Sequence, residues 1–256
     1  MPYRLLLFTI SFSKWYTLRM ETLLEFSKRY DAITLNSKTF KRICDIHNLS
    51  QKRVLDIGCG VGSHMQRFGP GSVGITTNPH EVDLGKEINR DIRLGNVEKL
   101  AAAMPPTEKF DVIWCNNIFE HLLSPHAFLV HLKTHAHADT IIILGTPMVP
   151  AISALMRIKK FRGALATPHV NFFTAKTYAL TVRYSGWSTQ TITPYFTHST
   201  LINTLLRPIM PHLYLVAKND TQYKYHPKKL KEWEHDEHYQ GLIEIMNPGY
   251  LENKSD

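Results

Sequence analysis

The chain has 256 residues, 43% of them hydrophobic and 11% aromatic, and a formal net charge of +8. That length suits one α/β domain with room for extra helices, and that composition excludes an intrinsically disordered chain. Cys44, Cys59 and Cys115 are odd in number and far apart, which excludes a disulfide framework or a zinc-type cysteine motif and points to a reducing, cytoplasmic setting.

The charge is unevenly spread. Residues 1–150 carry 17 basic and 14 acidic side chains, 151–231 carry 12 basic residues against a single acid, Asp220, and 232–256 carry one lysine and 7 acids. A segment as basic as 151–231 calls for an anionic counterpart: an acidic or phosphate-bearing small molecule, an anionic membrane surface met peripherally, nucleic acid, or the chain's own acidic tail.

In chain order, the apolar run Leu5 to Ile10 is too short to cross a bilayer and has no small-residue cleavage pattern, so it is not read as a signal peptide. Residues 14–48 read as an N-terminal helical cap over 1–48, with stripes at Trp15, Leu18, Leu23, Leu24 and Phe26, then Phe40, Ile43, Cys44 and Ile46, and a break at Tyr30-Asp31-Ala32. Arg53 to Gly62 then runs from apolar residues through Asp56 into glycines at alternate positions, Gly58, Gly60 and Gly62. This predicts a buried strand, a tight loop that lets a ligand approach the backbone, and a helix opening at Ser63 and His64.

Ser72 to Thr76 predicts the second strand, followed by a helix from about Pro79 to Asn89. Asp91 to Glu98 predicts a third short strand and a helix start. Lys109 to Asn117 predicts a fourth, with Phe119-Glu120-His121-Leu122 in the loop beyond it. Thr140 to Pro147 predicts a fifth. Strands alternating with helices over 53–147 imply a parallel sheet with helices on both faces. Ser188 to Thr193 and His212 to Lys218 predict two more strands.

Between these elements lie two basic insertions, 150–166 and 195–211, both expected to be helical. The first sets Ile152, Leu155, Met156 and Ile158 beside Arg157, Lys159, Lys160 and Arg162; the second carries Leu201, Ile202, Leu205, Leu206 and Ile209. An apolar face beside a basic one suits either a membrane-surface helix or a cap over an acidic substrate pocket, and the cap is the reading adopted. His131, His135 and His137 are expected on one helix without a third ligand, so no metal centre is expected. Residues 221–256 form an expected C-terminal helical tail that packs on the domain or mediates dimerisation.

The series Asp56-x-Gly58-x-Gly60-x-Gly62, Gly74-Ile75, Gly95-Asn96-Val97-Glu98, Phe110-Asp111-Val112-Ile113-Trp114, Phe119-Glu120-His121-Leu122 and a strand ending Thr146-Pro147 resembles the class I S-adenosylmethionine-dependent methyltransferases. It is especially similar to their ubiquinone-biosynthesis-like small-molecule branch, as is His169-x-x-Phe172-Phe173-Thr174 followed by Ser185-Gly186-Trp187. The resemblance covers about residues 40–218 and implies a Rossmann-like seven-stranded mixed sheet with an antiparallel last strand, in a methyltransferase domain over 49–220.

It also implies S-adenosyl-L-methionine as cofactor. Asp56 would take the methionine amino group, with Gly58, Cys59, Gly60 and Gly62 running beneath the cofactor and Ser63 and His64 facing the carboxylate. Thr76 and Thr77 would sit at the ribose, where the family usually places an acid; Glu81 is a candidate substitute. Asn96 and Val97 would lie at the adenine and Asn116 at the methionine end. A hydroxyl acceptor benefits from a base, for which His121 comes first and His169 second, with Glu120 orienting either.

The expected activity is methylation, most often at oxygen, of a small or lipid- or glycan-type acidic acceptor. An RNA methyltransferase is an alternative that lacks any Pro-Pro-aromatic base-methylating motif. A non-catalytic cofactor-binding protein is another, supported by Thr76 at the ribose position.

Overall fold

The computed structural model describes residues 20–252; the run Leu5–Ile10 and the expected Trp15 and Leu18 stripe lie outside them. Seven strands, β1 (Val54–Ile57), β2 (Val73–Thr76), β3 (Ile92–Leu94), β4 (Phe110–Asn116), β5 (Ala136–Pro147), β6 (Trp187–Thr193) and β7 (His212–Asn219), form one sheet in the order β3-β2-β1-β4-β5-β7-β6. The pairs from β3 to β5 are parallel, and β7 runs antiparallel to both β5 and β6. The expected Rossmann-like mixed sheet is therefore present. The chain winds outward from β1 to β3, then returns to lay β4 on the other side of β1. That reversal opens a crevice at the carboxyl ends of β1 and β4.

Strand periodicity explains the layers. Leu55, Ile57, Ile113, Cys115, Ile142 and Leu144 point to one face, where they pack with Phe128, Leu129 and Leu132 of α4 (Pro125–Leu132) and with Tyr178 and Val182 of α5 (Ala175–Tyr184). The alternate residues Val54, Val112, Trp114, Ile143 and Val216 point to the other face, against Phe40, Ile43 and Cys44 of α2 (Lys38–His47). Burying each such aliphatic side chain contributes about 1.5–3 kcal/mol. The remaining helices are α1 (Met20–Asn36), α3 (Pro79–Glu87), α6 (Thr200–Leu206), α7 (Pro227–Trp233) and α8 (Glu237–Met246). The tail helices α7 and α8 cover α4 through Leu230, Leu242, Ile243 and Met246, which cluster with Val130 and Tyr225. All three cysteines are buried and unpaired.

Four expectations about local structure are corrected. Helix α1 runs without interruption through Tyr30-Asp31-Ala32, and the break falls at Ser37, whose hydroxyl caps α2 by accepting from the Phe40 amide at 3.2 Å. The glycine loop leads not into an α-helix but into a short 3-10 turn over Ser63–Arg67, entered from Gly62 at φ 73°. His131, His135 and His137 do not share a helix. Helix α4 ends at Leu132, where the Thr134 hydroxyl donates to the freed His131 carbonyl at 2.7 Å, and His137 already belongs to β5.

The insertion after β5 is three 3-10 turns, Ser153–Arg157, Lys159–Phe161 and Gly163–Leu165, rather than an amphipathic helix. There the Arg162 guanidinium takes the Met156 and Arg157 carbonyls at 2.9 and 3.0 Å, which a continuing helix would have needed for itself. The second insertion does contain a helix, α6.

Candidate functional site

The glycine loop follows β1 directly. Gly58, Gly60 and Gly62 all hold positive φ, at 70°, 56° and 73°. At Gly58 a Cβ would also overlap the Ile118 side chain, so the backbone passes under the β4 loop only because no side chain is present. Asp56, in the third position of β1, pairs in register with Trp114 of β4 and is 2% exposed. Its Oδ2 is buried and has no hydrogen-bond partner among the described residues, and burial pushes its carboxyl up to about 8. Asn116 ends β4 with a buried Oδ1 that likewise has no partner among the described residues. Buried polar groups are rarely left unpaired, so two such oxygens beside one glycine loop mark a place built for a polar ligand.

The ribose side departs from the sequence reading in an informative way. The Thr76 hydroxyl donates to Glu81 Oε2 at 2.5 Å and also accepts from the Asn78 amide at 3.2 Å. Helix α3 starts immediately afterwards, capped by Asn78 with Pro79 in its first turn, which swings Glu81 back over the end of β2. Glu81 Oε1 lies 3.9 Å from where a Gly60 Cβ would be, so a carboxylate does stand beside the loop. Burial raises the Glu81 pKa, opposed by hydrogen bonds from Thr76 and Asn78. Thr77 is exposed at the strand end, and Cys59 is buried in the loop with its thiol pushed well up by burial and the nearby carboxyls.

Other predicted residues are already engaged. Ser63 donates to Asp31 Oδ1 at 2.7 Å, and Asp31 is in turn paired with Arg90 at 2.7 Å, which pins α1 to the turn after the glycine loop. His64 packs edge-on to Phe40 and tilted against Trp114, with ring centroids 4.7 and 5.3 Å away, and burial lowers its pKa to about 4. Its ring thus belongs to the α2 layer. Asn96 Oδ1 caps the turn Val97–Ala102 by accepting from the Glu98 amide at 2.9 Å. Val97 packs at the edge of the main core.

The three candidate catalytic residues come together. Glu120 and His121 lie in a single 3-10 turn after β4, and the segment containing His169 docks on it: the Val170 and Asn171 amides both donate to the Glu120 carbonyl at 3.0 Å, and Asn171 Nδ2 donates to the Leu122 carbonyl at 2.6 Å. The two imidazoles are 4.8 Å apart between centroids and nearly perpendicular. Each Nε2 is 3.9 Å from Glu120 Oε1, while Glu120 Oε2 is buried and has no partner among the described residues. Burial pushes the Glu120 carboxyl up to about 7. Burial, with the neighbouring His169 charge, lowers the His121 pKa, against a hydrogen bond to the Pro168 backbone. His121 is therefore neutral and able to accept a proton at pH 7. Among the described residues this trio is also the one cluster whose donor atoms, all within 4.8 Å, could hold a divalent cation.

Comparison with known proteins agrees with this geometry. A family model described as a methyltransferase domain matches residues 24–192. The chain belongs to that methyltransferase-domain family.

A mitochondrial ubiquinone biosynthesis O-methyltransferase of Schizosaccharomyces pombe is 28% identical to this domain over 121 residues, covering 43% of each chain. A tRNA U34 carboxymethyltransferase of Histophilus somni is 33% identical over 111 residues, 40% of this chain and 34% of that one. The matched stretch thus spans 34–43% of the length of these relatives. A solved S-adenosylmethionine-dependent methyltransferase from Archaeoglobus fulgidus superposes with a TM-score of 0.53 at 16% identity, covering 74% of this chain and 98% of its own, which establishes a shared fold. The S-adenosylmethionine implied by the family fits the residues present. The orphaned Asp56 oxygen suits an ammonium, Glu81 suits a pair of hydroxyls, and the positive-φ glycines leave room along the main chain.

Proposed function

We propose that this protein transfers a methyl group from S-adenosylmethionine to an oxygen of a small acidic or amphipathic acceptor. The observation that carries the reading is the pair of buried, unpartnered oxygens of Asp56 and Asn116 at the carboxyl ends of adjacent strands, beside a loop of three left-handed glycines. Asp56 would hold the methionine ammonium, Asn116 would fix the same end, and Glu81, steadied by Thr76, would accept the ribose hydroxyls. When bound, the cofactor supplies an already activated methyl group with a neutral thioether leaving group. The protein's part is then largely orientation.

His121 would take the acceptor's proton as its oxygen attacks. Glu120, with one oxygen facing both imidazoles, would stabilise the charge that forms, and His169 would hold Glu120 and His121 in place. The relatives named as ubiquinone biosynthesis O-methyltransferases support oxygen as the accepting atom. Calorimetric titration with S-adenosylmethionine tests the donor half, and absence of binding at high micromolar cofactor refutes it. Labelled methyl transfer to a panel of phenolic, carboxylic and phosphate-bearing acceptors tests the rest.

The basic segment and the likeness to a tRNA-modifying enzyme favour a second reading, RNA methylation. It requires tight RNA binding that falls steeply with salt.

A further inference from the structure

Residues 140–219 contain eight lysine and arginine residues and no aspartate or glutamate. The fold gathers two exposed connections from this stretch at the carboxyl end of β5. Met148 and Ala151 donate backbone hydrogen bonds to Pro211 and Pro208 at 2.9 and 3.0 Å, and Val149 donates to Phe173 at 2.8 Å. The turns after β5 and the α6 insertion thereby form one continuous shelf.

The shelf is apolar where it meets water. Ile158, Leu165 and Phe172 are 51–54% exposed, and Leu201 and Leu205, one turn apart on α6, are 70% and 69% exposed. Helix α6 is inside out. Its buried residue is the polar Asn203, whose amide accepts from the Thr197 N–H at 3.0 Å and donates to the Thr197 carbonyl at 2.8 Å, while Leu201 and Leu205 face outward. Arg157, Lys159 and Lys160 flank Ile158 along the chain and Arg207 directly follows α6; all four are exposed and make no ion pair among the described residues. The acidic C-terminal helices do not neutralise them, because α7 and α8 pack on α4.

We propose that this shelf docks the protein peripherally on an anionic lipid surface. Charge selects that occupant. A second copy would set the same cations against each other across an isologous contact, and nucleic acid offers phosphates for the cations but nothing for outward aliphatic leucines. An anionic bilayer satisfies both, taking leucine and phenylalanine into the headgroup boundary while its surface potential holds the lysines and arginines. The inference concerns binding alone and does not depend on the acceptor. It also revises the first insertion: the membrane-facing unit is not an amphipathic helix but a shelf of short turns plus one inverted helix.

The test is co-sedimentation of the whole protein with vesicles of phosphatidylcholine alone and with about 30% phosphatidylglycerol, in low and moderate salt. The expected result is at least about tenfold tighter partition onto the anionic vesicles, weakened by salt within a Debye length's reach. The double substitution Leu201→Ser and Leu205→Ser should lower partition about tenfold or more at unchanged salt dependence. Lys159→Gln with Lys160→Gln should lower it and flatten the salt dependence. Circular dichroism and cofactor titration, which these variants should leave unchanged, separate lost docking from lost folding. No partition onto anionic vesicles overturns the proposal, as does partition indifferent to the leucine substitutions. So does a stable dimer dissociated by them, or RNA binding tighter than vesicle binding.

Discussion

Replacing Asp56 by asparagine should make the cofactor-free protein more stable and the cofactor-bound one weaker. The carboxyl has an ordinary value of 3.8 and is pushed up to about 8 by burial. For an acid whose folded pKa is raised, folding is unpenalised while both states are protonated, and stability is lost as pH climbs from 3.8 towards 8. At pH 7.5 the upper bound of that loss is about 5 kcal/mol, at 1.36 kcal/mol per pH unit. Relaxation of the site reduces it, and an expected gain of about 2 kcal/mol for Asp56→Asn raises the melting temperature by about 4–8 °C in a domain of this size.

At pH 4.5 the wild-type carboxyl costs about 1 kcal/mol or less, and the two proteins should melt nearly together. Saturating S-adenosylmethionine should erase or reverse that order at pH 7.5. The ammonium pairs with a carboxylate but not with an amide, and losing that charge-assisted bond costs about 2–3 kcal/mol, or roughly 30- to 150-fold in affinity. Differential scanning fluorimetry at both pH values, with and without cofactor, reads all four states. An Asp56→Asn variant no more stable than wild type at pH 7.5 without cofactor, or equal to it in cofactor affinity, refutes the reasoning.

Glu81→Gln should weaken cofactor binding about tenfold with turnover at saturating cofactor little changed, since it removes one charge-assisted acceptor; unchanged affinity by calorimetry removes Glu81 from the ribose. His121→Ala should lower turnover by about a hundredfold with cofactor affinity within about twofold, and should abolish the low-pH limb of the rate profile; equal turnover removes it as the base. Gly58→Ala combines a left-handed φ of 70° with overlap on Ile118 and should destabilise the fold by about 2–4 kcal/mol, read as a lowered denaturation midpoint.

The sheet was legible because buried parallel strands leave continuous apolar runs, and the loop because only glycine tolerates three positive φ values in five residues. What escaped was settled by single polar contacts. Asp31 interrupts the apolar stripe of α1 and so looks like a break, yet it is satisfied by Arg90 and Ser63 and the helix continues. The i, i+4 spacing of His131 and His135 imitates a helix face, but the backbone has already left the helix when His135 is reached. Glu81 was a weak candidate in the sequence because its approach to the glycine loop depends on the turn at Asn78-Pro79 and on the Thr76 hydroxyl. The meeting of His121 with His169 depends on hydrogen bonds from Val170 and Asn171 to Glu120, 50 and 51 residues back, which no local pattern carries.

The three buried cysteines give the protein a set of internal depth gauges. Burial holds the Cys44 thiol up at about 12 and those of Cys59 and Cys115 well above their ordinary value, so the native chain offers almost no thiolate to an alkylating reagent. They sit in different places: Cys44 in the α2 layer, Cys59 inside the glycine loop and Cys115 in the central strand β4. Labelling of each is then governed by how often its own layer opens. A ligand that closes the glycine loop will slow Cys59 selectively, leaving Cys115 as the clock for global unfolding.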